Sequence, residues 1–500
     1  MKLNRSGLIL LLILLLGLFL RTHNLSKESI WFDEGYSISV ADLSLLQIVV
    51  ETYKSDQNLP LYYIILHFWI SLFGDSEFSV RFPSVIFGLF AIFMLYEVGR
   101  LIFDNEVGIL GSLLLGLSLF HIRYSQEARC YSLMVLLTLI SIYFFIRLFK
   151  ERSLIFSIGY ILSSTLLIYT HVYGLFIIIA QDIYIVTLFL SSKENHKLNF
   201  RLWILLQFIL ITLFIPEIGF FLRNVSDMVH HGYWIPVPVI SSIIDSFFEY
   251  AGSRYLSLLF LILSSFSIVN CEKFSGSFSW RDFFKSIESY RWNIYLSDTN
   301  RVYLVLVWLL TPIVLPFLIS RFLTPIYITR YTIGASLAFY LLLSKGIRNL
   351  NFRYIKLAAI GIITILSLRA VWMYYTNTNK EQWREVANYI DTNAERGDLL
   401  VFNCYPCAKG GLFDYYSKRI DLTKKVFSRT PSPQPGDYDI REISISVRGC
   451  NRVWYIMASE GYQEDKEFIK KTLSEAYNLS YYKRYVGIEV YLFSNKSRKK

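Results

Sequence analysis

The chain has 500 residues, of which 54% are hydrophobic and only 18% charged, with a mean hydropathy of +0.41; a soluble chain of this length carries about 25% charge. These figures exclude fibrous, disordered and disulfide-scaffold proteins, and the apolar residues come in blocks long enough to cross a bilayer, so the chain reads as a polytopic membrane protein. The net charge of +11 sits mostly in short loops between those blocks, where topology accounts for it without nucleic acid, and five Cys give no disulfide framework.

Lys2 and Arg5 precede an apolar run from Gly7 to Leu20. No small-x-small cleavage site follows; the run ends in Arg21-Thr22-His23-Asn24, so it reads as a retained first span with its N-terminus in the cytoplasm. Further apolar blocks near residues 80–101, 107–122, 131–149, 154–171, 172–192, 202–222, 255–271, 302–320, 330–344 and 355–375 bring the expected total to about eleven spans. Leu61 to Gly74, at 14 residues, is too short to span and suits a helix lying in the interface. With eleven spans, the cytoplasmic segments hold eighteen Lys and Arg against ten in the outer loops between spans, in keeping with the positive-inside rule. This topology places residues 22–79 and the whole C-terminal tail outside the cytoplasm, with the chain in the plasma membrane.

Composition changes after about residue 375: the last 125 residues hold 37 charged side chains against 52 in the preceding 375. Residues 376–500 therefore read as a soluble extracytoplasmic domain following an all-α membrane domain over 1–375. Leu399 to Phe402, opened by the turn pair Gly397-Asp398, and Arg452 to Ser459 read as strands. Glu464 to Tyr477 has helical spacing, and Tyr485 to Phe493 reads as a last strand, giving a small α/β fold.

The first outer loop carries Trp31-Phe32-Asp33-Glu34-Gly35-Tyr36. A carboxylate at a membrane surface acts as a general base when partly desolvated and set against an incoming hydroxyl; a solvated loop acid is the plainer reading of an isolated pair. The second outer loop, His121-Ile122-Arg123-Tyr124-Ser125-Gln126-Glu127-Ala128-Arg129-Cys130-Tyr131, packs charge and Tyr between two apolar blocks. An Arg near the membrane is costly without a partner, about 2.5–3.5 kcal/mol at the centre of a spanning helix, and its planar fork of donors fits a phosphate, of a substrate or of a lipid headgroup. Arg81 before Phe82-Pro83-Ser84, and Arg330-Tyr331 at the head of the tenth span, repeat the theme. Four distant regions thus bring acids, Arg and Tyr to one face of the membrane.

Taken together, Asp33-Glu34 after the first span, Asn58-Leu59-Pro60-Leu61-Tyr62-Tyr63, Arg81-Phe82-Pro83-Ser84, Tyr124-Ser125-Gln126-Glu127-Ala128-Arg129-Cys130-Tyr131 and Arg330-Tyr331 resemble, in order and spacing, the dolichyl-phosphate-mannose–protein mannosyltransferase superfamily. These are GT-C-type glycosyltransferases that use polyprenyl-phosphate sugars, and the branch most alike includes the lipid A aminoarabinose transferases. The likeness covers roughly residues 1–375, with Leu59 departing where many relatives have a second Pro. The resemblance implies a GT-C fold and an inverting transfer of sugar to an extracytoplasmic protein, lipid or surface glycan. It implies Asp33 as the general base and Glu34 as an orienting acid. Arg129, Arg81 and Arg330 would hold the donor phosphate, and Tyr131, Tyr62, Asn58 and Glu127 would line the site. A single displacement needs one base behind the attacking oxygen and positive charge at the departing phosphate. No cofactor is indicated; a divalent metal is compatible with such chemistry but not called for.

Two other readings stand beside this one: a glycan ligase or polymerase using a lipid-pyrophosphate donor, and a lipid or glycan transporter without chemistry. A transporter would place ionisable groups near the bilayer midplane in corresponding halves, whereas here charges gather at one edge. Asp182, inside the sixth block, reads as a structural hydrogen-bond partner. His230-His231 read as ordinary loop residues, and Cys404-Tyr405-Pro406-Cys407 suggests a local disulfide or a pairing with Cys450.

Overall fold

The computed structural model describes residues 5–55, 59–151, 153–190, 200–231, 235–268, 299–403, 411–428, 437–458 and 463–496. They fall into two compact units: Met1–His23, Leu45–Ile65 and Arg81–Met373 form the first, and Asn24–Ser44, Leu66–Val80 and Tyr374–Lys500 the second. The tail thus clusters from Tyr374 onward, together with the segments 24–44 and 66–80.

In chain order the first helices are α1 (Arg5–Thr22), α2 (Phe32–Ala41), α3 (Leu45–Ser55), α4 (Leu61–Phe73), α5 (Glu77–Ile102), α6 (Asn105–Leu117), α7 (Leu119–Ser125), α8 (Tyr131–Lys150), α9 (Leu154–Ile168), α10 (Gly174–Leu190), α11 (Phe200–His231), α12 (Ile240–Ala251) and α13 (Arg254–Ser265). Helices Thr299–Phe322, Ile333–Asn349 and Arg353–Thr376 follow. Every apolar block of the sequence holds a helix. Among the described residues six helices are long and apolar enough to cross a membrane, or seven if the bent pair α6–α7 counts as one. The remainder are shorter: α9 has 15 residues and α13 has 12, and at 1.5 Å per residue neither alone matches a hydrocarbon core about 30 Å thick. Stripes of exposed Leu, Ile and Phe, such as Leu12 and Phe19 on α1, are the faces that lipid would cover. Ile333–Asn349 is buried along most of its length and packs between α6, α13 and Thr299–Phe322.

The block 107–122, read as one span, is broken at Ser118 and bent by 61°. Ser118 has extended backbone (ψ 115°), and its Oγ accepts the His121 amide at 3.3 Å, so it ends α6 and caps α7. The pair Gly99 and Gly108 lets α5 and α6 approach closely: a Cβ on Gly108 would meet the Tyr96 carbonyl at 2.6 Å. Asp182 donates nothing and accepts the Trp203 indole N–H at 2.9 Å, the structural hydrogen bond expected of it.

In the second unit, six strands form a sheet in the order β3-β2-β1-β4-β6-β5, with β1 at Leu399–Phe402, β2 at Thr423–Ser428, β3 at Asp437–Asp439, β4 at Arg452–Ala458, β5 at Tyr477–Tyr485 and β6 at Ile488–Asn495. β1 pairs in parallel with β2 and β4, and β6 runs antiparallel between β4 and β5. All four residues of β1 are buried, as befits a central parallel strand. Helix Gln463–Ala476 lays Ile469 and Leu473 on the core with Val453, Tyr455 and Phe493. The α/β expectation holds. The last strand begins three residues later than expected, because Val486 and Gly487 (φ +71°) make the turn of a β5–β6 hairpin. Cys404 and Cys407 lie outside the described residues, as does Asn58, and so do the side chains of His230 and His231.

Candidate functional site

In the first unit the polar loop between α7 and α8 is anchored rather than loose. Gln126 Nε2 donates to the carbonyls of Arg21 (3.1 Å) and His23 (2.8 Å), and Ser125 Oγ donates to the His121 carbonyl (2.7 Å). The Arg129 amide closes a tight turn on the Glu127 carbonyl at 2.8 Å. Glu127 and Arg129 are both buried, and exposed Arg123 lies 3.7 Å from the Glu127 carboxylate. Ser84 links two further motifs: its Oγ donates to the Arg129 carbonyl (3.3 Å) and hydrogen-bonds the hydroxyl of buried Tyr62 (3.4 Å). Arg81, near the start of α5, is fully buried.

Tyr131 opens α8 at the centre of a ring cluster. Tyr331 stacks against it with centroids 6.3 Å apart, Tyr124 meets it edge-on at 4.9 Å, and His171 sits 6.1 Å away. The Arg330 guanidinium lies over the Tyr131 ring at 6.0 Å and over the Tyr331 ring at 5.5 Å. Arg129 and Arg330 are both within electrostatic reach of Tyr131 and of His171. The Tyr131 hydroxyl is buried and has no hydrogen-bond partner among the described residues. His171 Nδ1 accepts the Tyr173 amide (3.1 Å), which fixes the ring's orientation. Arg330, the buried Tyr131 phenol and the His171 imidazole thus gather in one place, with Arg129 within electrostatic reach.

Arg330 stands on a 3-10 turn, Thr329–Thr332, and its place is set by neighbours. Ser246 on α12 hydrogen-bonds the hydroxyls of Tyr327 (2.7 Å) and Thr329 (3.1 Å). Tyr250, one turn on, hydrogen-bonds Thr332. Ser320 Oγ accepts the amides of Ile326 (2.8 Å) and Tyr327 (2.9 Å), and the Tyr173 hydroxyl donates to the Ile326 carbonyl (2.8 Å).

Sequence reasoning missed Arg21, counted only as a loop charge. It is fully buried and donates to Ser125 Oγ (3.2 Å) and to the carbonyls of Leu115 (3.1 Å), Gly116 (3.2 Å) and Gly17 (3.3 Å). It satisfies carbonyls that the break at Ser118 strips of helical partners. His171 was also missed; its signal was the polar interruption Tyr169-Thr170-His171 between two apolar blocks.

The acids Asp33 and Glu34 belong to the second unit, in the first turn of α2, where the helix dipole favours carboxylates. Asp33 is half-buried, and its carbonyl accepts the Ser37 hydroxyl (3.0 Å). Glu34 is fully buried: its Oε2 accepts the Trp31 amide (3.4 Å) and is ion-paired with Lys380 Nζ (3.2 Å), itself buried. Around this pair the tail grips residues 24–44. Arg384 donates to the carbonyls of Ser26 (3.0 Å) and Lys27 (3.2 Å) and pairs with Glu77. The Tyr416 hydroxyl accepts the Ile30 amide (2.7 Å) and donates to Glu77 (2.5 Å). Burial, reinforced by that carboxylate, pushes the Tyr416 phenol well above its ordinary value. Beside α2 a cavity of about 260 Å³ is lined by Gly35, Ile38, Asp42, Asp75, Leu412 and Tyr415 among others.

The sequence-predicted residues thus divide: Tyr62, Arg81, Glu127, Arg129, Tyr131 and Arg330 lie in the first unit, Asp33 and Glu34 in the second. With this geometry in hand, the family model for dolichyl-phosphate-mannose–protein mannosyltransferases matches residues 57–220. Among solved structures, ArnT from Cupriavidus metallidurans bound to undecaprenyl phosphate is 11% identical, with 98% of each chain covered and a TM-score of 0.58. The Archaeoglobus fulgidus oligosaccharyltransferase tethered to an acceptor peptide is 12% identical, with 99% of this chain and 74% of that chain covered and a TM-score of 0.52. No curated protein matches. The fold is that of the GT-C glycosyltransferases of membranes, as the resemblance implied.

Proposed function

We propose that this chain is an inverting glycosyltransferase of the plasma membrane that moves a sugar from a polyprenyl-phosphate donor to an acceptor outside the cytoplasm. The observation that carries the reading is the pair of guanidiniums, Arg129 and Arg330, about the buried and unpartnered Tyr131 hydroxyl. Support comes from the fold shared with an ArnT solved with undecaprenyl phosphate. Asp33 takes the proton of the acceptor hydroxyl as its oxygen attacks the anomeric carbon. The bond from that carbon to the phosphate oxygen breaks on the opposite face, and the lipid phosphate leaves with both electrons onto the arginines. One displacement inverts the anomeric centre, and no second acid is needed because a phosphate is a good leaving group. Arg81, Tyr62 and Glu127 complete the donor side, and Glu34 orients the base. The cations of the scheme are arginines, so it invokes no metal. The excess of basic residues in alternate loops supports eleven spans, a cytoplasmic N-terminus and an extracytoplasmic tail domain over 376–500.

The test is transfer of radiolabelled sugar from polyprenyl phosphates to candidate envelope acceptors by purified protein, wild type against Asp33→Asn. The expected result is a fall of about 10²–10⁴-fold for the variant, the worth of a general base. Equal transfer by both proteins removes Asp33 from that role.

A further inference from the structure

The tail is usually the part of such a chain one would assign to acceptor choice. Its innermost residues do something else here. Between the end of the last apolar helix at Thr376 and the helix Trp383–Asn393 runs a short linker, and its residues Asn379 and Lys380, with neighbours at both its ends, bind the segment that bears Asp33. Glu28 accepts the amides of Asn379 and Lys380, the latter at 3.3 Å. Lys27 Nζ donates to the Tyr375 carbonyl at 2.7 Å. Ser29 Oγ donates to the Glu385 carboxylate (3.0 Å) and accepts the Arg384 amide (3.2 Å). At the centre, Lys380 sends its ammonium into the interior, 8% exposed, to the wholly buried carboxylate of Glu34.

The other side of the linker is fastened as firmly. Gln382 exchanges two hydrogen bonds with Val486 in the β5–β6 turn, 3.2 and 3.0 Å long. The Glu381 side chain packs where a Cβ on Gly487 would stand, and its carboxylate accepts the Trp383 indole N–H (2.7 Å). The linker is therefore a rigid strap between the sheet and α2, and the Lys380–Glu34 pair is its buried contact with the helix.

We propose that Lys380 is a positioning residue for Asp33, an inference that rests on the reading of Asp33 as the base. Glu34 occupies the third position of α2 and accepts the Trp31 amide, so its carboxylate sets where the helix begins. Lys380 holds that carboxylate in place. Asp33 is the next residue back, so the entry angle of α2 decides where its side chain stands. A buried carboxylate deprived of its cation must reach water or take up a proton, and either outcome unwinds the first turn of α2 and moves Asp33. The tail thus contributes to the chemical step without touching the substrate.

The experiment compares full-length wild type, Lys380→Met, Lys380→Arg and the double variant Lys380→Met/Glu34→Gln in detergent, with Asp33→Asn alongside. Two readouts are taken: amide hydrogen exchange over residues 30–37, and kcat and KM for the lipid-phosphate sugar. The proposal expects exchange in 30–37 to rise at least tenfold in Lys380→Met while the sheet stays protected. It expects kcat to fall at least tenfold at unchanged donor KM. Lys380→Arg, which keeps the charge, recovers most of both. The double variant, which removes the stranded charge, recovers protection more fully than rate. Unchanged exchange in Lys380→Met overturns the proposal whatever Asp33 does. So does raised exchange with wild-type kcat where Asp33→Asn abolishes transfer. Should Asp33→Asn transfer normally, the functional reading fails instead, and the exchange data alone then decide whether Lys380 orders α2.

Discussion

Both units contain ion pairs, but the buried charges at their centres keep different company. In the second, carboxylates meet cations that the chain itself supplies: Glu34 with Lys380, Glu77 with Arg384, Asp414 with Lys424. In the first, Arg129 and Arg330 sit among the rings of Tyr131, His171 and Tyr331, and a buried phenol at their centre has no hydrogen-bond partner among the described residues. A buried ion pair holds a shape; a ring cluster whose central hydroxyl has no hydrogen-bond partner among the described residues leaves a donor for a group that arrives from elsewhere. The contrast teaches that burial of a charge does not by itself distinguish scaffold from site. What distinguishes them here is the buried Tyr131 hydroxyl, left without a hydrogen-bond partner among the described residues.

Substitutions can break or sharpen this contrast. The largest effect on stability is expected from Arg21→Met, because Arg21 is scaffold inside the first unit. The change strands the carbonyls of Leu115 and Gly116 at the end of α6, at about 1–3 kcal/mol for each one left unsatisfied. The thermal unfolding midpoint in detergent should drop sharply, and a midpoint like wild type's would mean these contacts do not hold the α6–α7 break. Next comes Arg330→Met, which removes a charge-assisted contact worth about 1.5–3 kcal/mol. It should raise KM for the lipid donor about 10- to 100-fold with little change in unfolding. A large loss of stability there would erase the distinction between the units. Arg384→Met should cost about 1 kcal/mol, since its pair with Glu77 is partly solvated, at 30% and 15% side-chain exposure; its readout is unfolding. Smallest is Ser246→Ala, which deletes the contacts to Tyr327 and Thr329 behind Arg330. About 1 kcal/mol of lost hydrogen bonding should appear as a few-fold rise in donor KM. No rise would mean α12 does not position Arg330.

Much of this was legible in the sequence. Each apolar block announced a helix among the described residues, because hydropathy is a local property. The strand Leu399–Phe402 was visible as an apolar run, as buried parallel strands are. Strand β5 was not, since most of its residues are exposed and polar, and β2 was hidden by Lys424 and Lys425. The motifs around Asp33, Arg129 and Arg330 pointed to a site because charge at a membrane edge demands a reason. The partners of those residues were beyond reach: Lys380 lies 346 positions from Glu34, and no periodicity links them. Nor did spacing reveal that residues 24–44 cluster with the tail, because that grouping is a property of tertiary contacts.

The central claim is tested most directly by the lipid that turnover releases. Mass spectrometry of the reaction should find polyprenyl monophosphate appearing in a one-to-one ratio with glycosylated acceptor, the new bond inverted at the anomeric carbon, and neither product formed by Asp33→Asn. Release of polyprenyl pyrophosphate, or glycosylation that proceeds undiminished in the Asp33→Asn protein, would contradict the account.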